Sequence, residues 1–256
     1  MREGGFHGRT VLITGAGGAL GRATAQALAE RGADLVLADV SPATLEAVLA
    51  ACPGAKGMVV DVTDPAALER LAAFARDAFG RPVEKLVAAA GVLGPMKPLI
   101  EVSEEEFDRT FDVNLRALWR LSKLIIPQMR EVGRGSVVLF SSTAGLQASK
   151  VLSLYSVTKG ALTMLTRNLA LNHAAEGIRV NCVCPGTIAG PMAEANVAFA
   201  EGPEAQAQRR AEIIAAHPMA RLGLPEEVAA AVVFLLDDAA GFTTGTALPV
   251  DGGRLA

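Results

Sequence analysis

Short unbroken apolar runs alternate along this chain with stretches whose apolar positions recur every three or four residues. The runs are TVLIT at 10–14, DLVLAD at 34–39, GMVVDV at 57–62, KLVAAAG at 85–91, GSVVLFSS at 135–142, IRVNCVC at 178–184 and ALPV at 247–250. Runs of this length, rich in β-branched residues and bounded by Gly, Pro or Asp, predict buried strands. Helical spacing predicts a helix from Ala19 to Arg31, with Gly32 placed to cap its carboxyl end. Ser41-Pro42 and Asp64-Pro65 each offer a capping oxygen followed by Pro at the first helical position. After the second of these, Leu68, Leu71, Ala72, Ala75 and Phe79 form one apolar face. Ser103 with Glu106 makes a capping box that opens a long helical region through Asn114 to about Met129. Further helices are expected from Leu154 to Glu176, closed at Gly177, and over 225–236, while 187–217 reads as irregular and partly helical.

Apolar strands alternating with helices predict a parallel sheet covered on both faces. Right-handed crossovers make it a doubly wound, Rossmann-type α/β sheet, and with no repeat or linker the chain reads as one domain over 1–256. Such sheets bind ligands beyond the carboxyl ends of their strands. The polar motifs fall at those ends. TGAGGALG, Thr14 to Gly21, follows the first strand, and its glycines permit a tight turn and close approach of a pyrophosphate to the backbone. The helix opening at Ala19 presents unpaired amides to such an anion. Asp39, at the end of the second strand, stands where an acid accepts hydrogen bonds from an adenosine ribose.

Composition narrows the chemistry further. Of 256 residues, 51% are hydrophobic and only 4% aromatic, so Ala, Val and Leu must do most of the packing. Net charge is −3 with no run of like charges, which argues against a nucleic-acid footprint and a polybasic membrane patch. The start MREGGFHGRTVLITG lacks the apolar stretch of a leader and no long apolar span follows, so the expectation is a cytoplasmic protein. Three cysteines build no disulfide framework; Cys182 and Cys184 share one strand face and read as buried thiols. No metal site is expected, and His7, His173 and His217, scattered and outside any motif, read as surface or capping residues.

The single tyrosine of the chain, Tyr155, lies in LYSVTKGAL with Lys159 one helical turn further on. A free phenol is only about a thousandth ionised at neutral pH. A neighbouring ammonium favours phenolate, and a drop of about 2–3 in pKa would bring the group toward working pH.

Taken in order along the chain, these motifs resemble the short-chain dehydrogenase/reductase family from Thr10 to Gly253. The family's T-G-x-x-x-G-x-G matches Thr14, Gly15 and Gly21, with Ala19 in place of the middle glycine. Its Asp-Val matches Asp61-Val62, its Y-x-x-x-K matches Tyr155 and Lys159 with Ser142 thirteen residues earlier, and its catalytic asparagine matches Asn114. Its P-G matches Pro185-Gly186. The N-N-A-G motif is AAAG here, Ala88 to Gly91, and the threonine usual four residues after Gly186 is Gly190. The resemblance implies that Tyr155 exchanges a proton with the substrate oxygen, Ser142 hydrogen-bonds that oxygen, Lys159 holds the nicotinamide ribose, and Asn114 fixes a relay water. It implies cofactor contacts from Gly15, Gly18, Ala19, Leu20, Gly21, Asp39, Asp61, Val62, Ala89, Gly91, Tyr155, Lys159, Pro185, Gly186 and Ile188. The absent amides and hydroxyl loosen cofactor binding before they touch proton transfer.

The expected activity is NAD-dependent interconversion of a secondary alcohol and a ketone, with 187–217 as a substrate lid. Apolar Val92, Leu93, Met96, Leu146, Val151, Leu152, Ile188 and Met192 are expected around a neutral substrate of modest size. Two other readings stand beside it: a 3-oxoacyl-carrier-protein reductase, and a non-catalytic dinucleotide-binding redox sensor. Apolar residues on more than one face of the helices around Trp119 and Met164 lead to the expectation of a homotetramer.

Overall fold

Seven parallel strands lie side by side in the order β3-β2-β1-β4-β5-β6-β7. They are β1 (Thr10–Thr14), β2 (Asp34–Asp39), β3 (Lys56–Val59), β4 (Lys85–Ala88), β5 (Gly135–Phe140), β6 (Ile178–Pro185) and β7 (Ala247–Val250). The computed structural model describes residues 6–256; the first five, part of the start read above for a leader, lie outside the described residues. Among the described residues no helix is long and apolar enough to cross a membrane.

Helices cover both faces, as the unbroken apolar strands require. Successive strand residues point to opposite faces. Val11 and Ile13 face α1 (Ala19–Ala29), α2 (Pro42–Ala51) and α9 (Pro225–Leu236) through Ala25, Leu28, Val48, Val232 and Leu236. Leu12 and Leu86 instead meet α3 (Pro65–Asp77), α5 (Ala117–Val132) and α6 (Ser153–His173) through Leu68, Leu71, Leu121, Ile125 and Leu162. The chain runs outward from β1 to β3 and then returns to place β4 on the other side of β1. Loops after β1 and β4 therefore part company, and the crevice between them is where such sheets take ligands.

Helix starts follow the capping signals. Thr44 N–H donates to Ser41 Oγ at 3.4 Å and Ala66 N–H to Asp64 Oδ1 at 2.9 Å. Ser103 and Glu106 close a reciprocal box at the start of α4 (Glu104–Phe111). Gly32, at φ +77°, follows α1 with its amide on the Ala29 carbonyl at 2.9 Å.

The carboxyl ends of four strands differ from the sequence reading. β3 ends at Val59, β4 at Ala88 and β5 at Phe140, each short of its apolar run, while β6 continues to Pro185. A strand lasts only as long as its neighbours pair with it, so Asp61, Val62, Gly91 and Ser142 fall in loops beyond the sheet. The long helical region is α4, a π-helical turn over Asp112–Arg116, and α5. Residues 187–217 are mostly helical, with α7 (Pro191–Ala198) and α8 (Pro203–Ala215). The Gly-Pro pairs at 190–191 and 202–203 are helix starts: Pro at the first helical position gives up an amide that would be unpaired anyway.

Candidate active site

The glycine turn after β1 is shaped by what its own backbone meets. Gly15 has φ +66°, and a Cβ there would lie 2.6 Å from Ala90 N. A Cβ on Gly21 would lie 2.1 Å from the Gly15 carbonyl oxygen. Both contacts are backbone against backbone, so only glycine closes this turn. Gly18 meets nothing nearer than 3.4 Å. It precedes α1 as an N-cap with no side-chain bond, and no acid occupies the first turn. The amides of Ala19, Leu20 and Gly21 thus open an uncapped helix end, the arrangement that receives a phosphate.

Asp39 borders that turn. Its Oδ2 accepts from Gly17 N at 2.9 Å, and its Oδ1 accepts from Ser41 N at 3.0 Å and Thr44 Oγ1 at 3.2 Å. The carboxylate therefore holds the glycine loop, and of its roughly four lone-pair sites one, on Oδ2, stays open. Beyond β3, Asp61 Oδ1 accepts from Thr63 N at 2.9 Å and Thr63 Oγ1 at 2.7 Å, fixing its own turn, with Val62 half-buried beside it.

Across the crevice, α6 carries Tyr155 and Lys159 buried, at 8% and 3% exposure. Lys159 Nζ donates to the Phe140 carbonyl at 2.7 Å and sits 5.4 Å from the centre of the Tyr155 ring. Burial pushes the phenol up to about 12, against a smaller opposite pull from the Ser142 hydroxyl, and pushes the ammonium down to about 8. The expected fall of the tyrosine pKa is thus reversed. The ring has lost its water, and the ammonium, itself desolvated, is spent on a carbonyl rather than on the phenol oxygen.

Asn114 lies fully buried in the π-helical turn. Its Nδ2 donates to the Val92 carbonyl at 2.9 Å and to Thr158 Oγ1 at 3.1 Å, and its Oδ1 accepts from Val92 N at 2.9 Å. Asn114 therefore ties the loop after β4 to α6, leaving one Oδ1 lone pair unused. Gly91 stands between the two groups: a Cβ there would lie 3.4 Å from both Asn114 Oδ1 and Lys159 Nζ. Ser142 lies two residues beyond β5 and accepts from Ala144 N at 3.1 Å.

Sequence reasoning missed the residues that lock α6 to this loop. Ser141 Oγ donates to the Lys159 carbonyl at 3.0 Å and meets Thr163 Oγ1 at 2.8 Å. A Cβ on Gly145 would fall 2.7 Å from the Lys159 carbonyl oxygen, so glycine is what lets helix and loop touch. The available signal was a glycine three residues after Ser142, whose meaning depends on a helical residue, Lys159, fourteen positions downstream.

After β6, Pro185 and Gly186 lead into an extended segment in which Ile188 pairs with Gly223. His217, expected at the surface or as a cap, is buried at 2% exposure, its ring held between the Thr187 amide and the Ile213 carbonyl of α8. Ala193 and Val197 of α7 are buried, while Leu146 and Met192 remain exposed at the crevice. Among the described residues no group of three or more His, Cys, Asp or Glu is placed to hold a metal. Cys182 and Cys184 are buried in β6, and contact with Cys182 together with burial pushes the Cys184 thiol up, so it stays protonated.

A cavity of about 480 Å3 lies at the opposite edge of the sheet, among Arg9, Lys85, Arg134 and Arg179. Lys85 donates to the Leu236 carbonyl at 2.6 Å and Arg179 to the Leu235 carbonyl at 2.7 Å. These cations satisfy the carboxyl end of α9, and we assign the cavity no chemistry.

Residues 15–254 match a sequence model of the family described as enoyl-(acyl carrier protein) reductase. The chain is 40% identical over 255 residues to an uncharacterized oxidoreductase of Thermotoga maritima, covering 98% of this chain and 99% of that one. It is 38% identical to levodione reductase of Leifsonia aquatica, covering 98% and 96%, and superposes on a crystal structure of levodione reductase with a TM-score of 0.92 over 97% and 98% of the two chains. A crystal structure of NAD+-bound xylitol dehydrogenase, 31% identical, superposes with a TM-score of 0.91 over 97% and 99%. The chain belongs to the short-chain dehydrogenase/reductase family.

As a short-chain dehydrogenase/reductase it departs from the usual motifs in ways its packing explains. Gly190 has φ +147°, which side chains rarely adopt, and a Cβ there would lie 3.1 Å from the Ala19 methyl. The Ala19 methyl and the bare Gly190 backbone therefore face each other across one contact. Ala88 is fully buried in the apolar cluster on the α5 face of the sheet, where an unpartnered amide would be costly.

Proposed function

We propose that this enzyme interconverts a secondary alcohol and a ketone with NAD, using Tyr155 as the group that exchanges a proton with the substrate oxygen. The observation behind this is the convergence, at the carboxyl edge of one sheet, of an uncapped glycine-turn helix, the Asp39 carboxylate, and half-buried Ser142 beside the buried Tyr155 and Lys159. Relatives named as a dione reductase and as a polyol dehydrogenase support the alcohol–ketone class.

Ala19, Leu20 and Gly21 would receive the pyrophosphate, with Gly15 and Gly18 permitting its approach. Asp39 would take a ribose hydroxyl on its open lone pair; Asp61, Val62, Ala89 and Gly91 would border the adenosine half; and Pro185, Gly186 and Ile188 the nicotinamide half. The cofactor, when bound, supplies hydride exchange at its nicotinamide ring. Ser142 orients the substrate oxygen toward the phenol, and a protonated phenol is the form that donates to a ketone oxygen. Lys159 holds the cofactor ribose, and the unused Asn114 lone pair is the place for a relay water. Val151, Leu152, Ile188 and Met192 favour a neutral substrate. The 3-oxoacyl-carrier-protein reading shares the carrier protein, though not the reaction, with the enoyl-(acyl carrier protein) reductase of the family model's description. Against it, the lid-side cations Arg210 and Arg221 are paired with Glu194 and Glu227.

The absence of a cation beside Asp39 in its motif (Gly18, Val40 and Ser41 flank the site) favours NAD. A 2′-phosphate about 4 Å from that carboxylate would cost up to ~4 kcal/mol per charge pair at an effective dielectric of about 20. Even halved by solvent, this leaves a preference on the order of 30-fold. Comparing kcat/KM for the two cofactors with one ketone tests it; equal values, or a preference for NADP, reject it. Tyr155→Phe removes the transferable proton and almost no volume, so turnover is lost while NADH affinity stays within about threefold. Activity above about a tenth of wild type would assign the proton to another group. We further propose that the enzyme works in the cytoplasm as a homotetramer, with 187–217 closing over substrate.

A further inference from the structure

The segment Gly186–Ala189 leaves the sheet in extended form and is stitched on two sides. Gly186 N donates to the Val250 carbonyl at 3.0 Å, Ala189 N to the Gly223 carbonyl at 2.9 Å, and the Thr187 carbonyl accepts from Gly223 N at 3.0 Å. The Thr187 amide takes a side chain instead: it donates to His217 Nε2 at 3.0 Å. On its other side the ring donates from Nδ1 to the Ile213 carbonyl, in the last turn of α8, at 2.7 Å. An amide must donate and a carbonyl must accept, so the partners assign a neutral imidazole with its proton on Nδ1. The ring also fills the room beside the segment, since a Cβ on Gly186 would lie 2.7 Å from Nε2. His217 further lines a cavity of about 330 Å3 together with Thr187, Ile188 and Gly252.

One side chain thus joins the two ends of the 187–217 segment. Nothing else about His217 explains its burial: it lies outside the proton-transfer cluster and belongs to no metal cluster among the described residues. We propose that His217 is a positioning residue for cofactor binding, setting the place of Thr187–Ala189 at the nicotinamide end of the cleft through the Thr187 amide. This rests on the dinucleotide reading above.

The two bonds are separable by substitution. His217→Gln brings an amide oxygen to the Nε2 position and keeps the acceptor for Thr187. His217→Asn brings an amide nitrogen to the Nδ1 position and keeps the donor to Ile213. Each loses one bond, so their melting temperatures fall by similar amounts, while a buried amide left unpaired on Thr187 falls to the Asn variant alone. NADH affinity by fluorescence titration is expected within about threefold of wild type for His217→Gln and about tenfold weaker for His217→Asn. ADP-ribose, which lacks the nicotinamide, is expected to bind all three proteins alike. Equal NADH affinities in the two variants, or an equal loss for ADP-ribose, overturns the proposal. Should either variant fail to fold, the wild-type His217 ring resonances decide: they must move on adding NADH and stay put on adding ADP-ribose, and the reverse overturns it. A wild-type protein that binds neither ligand removes the dinucleotide reading, and this inference with it.

Discussion

At residue scale, burial governs the proton-transfer cluster. Lys159 is buried beside a carbonyl and its pKa is pushed down to about 8, from 10.5. Below about pH 8 the group is charged in both states, and the folded protein carries the full cost of burying it. Between about pH 8 and 10.5 the unfolded chain binds more protons than the folded one, so stability rises with pH through that window. Relative to Lys159→Met, wild type is expected to gain roughly 1 kcal/mol per pH unit there. Denaturant midpoints of the two proteins from about pH 7 to 9.5 measure it, and parallel curves reject it. Tyr155 acts with the opposite sign at higher pH. Raised from 10.0 to about 12, it keeps its proton when folded, and the stability this confers is lost as pH rises through about 12. Motif spacing made the pair visible in the sequence. Its environment was not, because Phe140, Ser141 and Gly145 reach α6 only after β5 has paired with both of its neighbours.

At the scale of elements, α7 and α8 form a helical hairpin. Arg210 Nη1 donates to Glu194 at 3.1 Å, Arg209 Nη2 to Asn196 at 3.0 Å, and Gln206 Nε2 to the Ala200 carbonyl at 3.1 Å. Ala193, Val197 and Ile213 are its buried residues. Small buried area and many exposed bonds place it at the low-stability end of the molecule. Amides of α7 and α8 are expected to exchange together, faster than those of α6, and to slow together with cofactor and substrate present. Exchange rates more than about tenfold apart in the two helices would break the hairpin into independent parts. The sequence reading left 187–217 partly helical, and weak amphipathicity hid α7 in particular from a periodicity argument. The π-helical turn at Asn114 escaped for another reason: one extra residue per turn barely disturbs an apolar pattern, yet it places the amide on Val92.

For the whole molecule, apolar side chains left outside both cores bear on assembly. Trp119 and Met164 are 44% and 52% exposed on α5 and α6, and Leu171 is 81% exposed. Phe234 on α9 and Phe242 after it form a second exposed set, at 52% and 106%. Two separate apolar faces suit two kinds of two-fold contact, which together close a tetramer. Light scattering is expected to give the mass of four chains, falling to two for the double variant Trp119→Arg, Met164→Arg. A wild-type mass of one chain rejects the assembly.

Alternation of apolar runs with helical spacing settled the doubly wound sheet, because strands covered on both faces must be apolar throughout. The glycine turn, Asp39 and the Tyr155–Lys159 pair were legible for the same kind of reason: each works through neighbours a few residues away. Other features depended on approach between segments far apart in the chain. His217 against Thr187, Gly145 against Lys159, and the Ala19 methyl against Gly190 each join residues that no local pattern relates. Local spacing carries turn, cap and facial periodicity, whereas burial and contact across the crevice exist only once the sheet has ordered its strands.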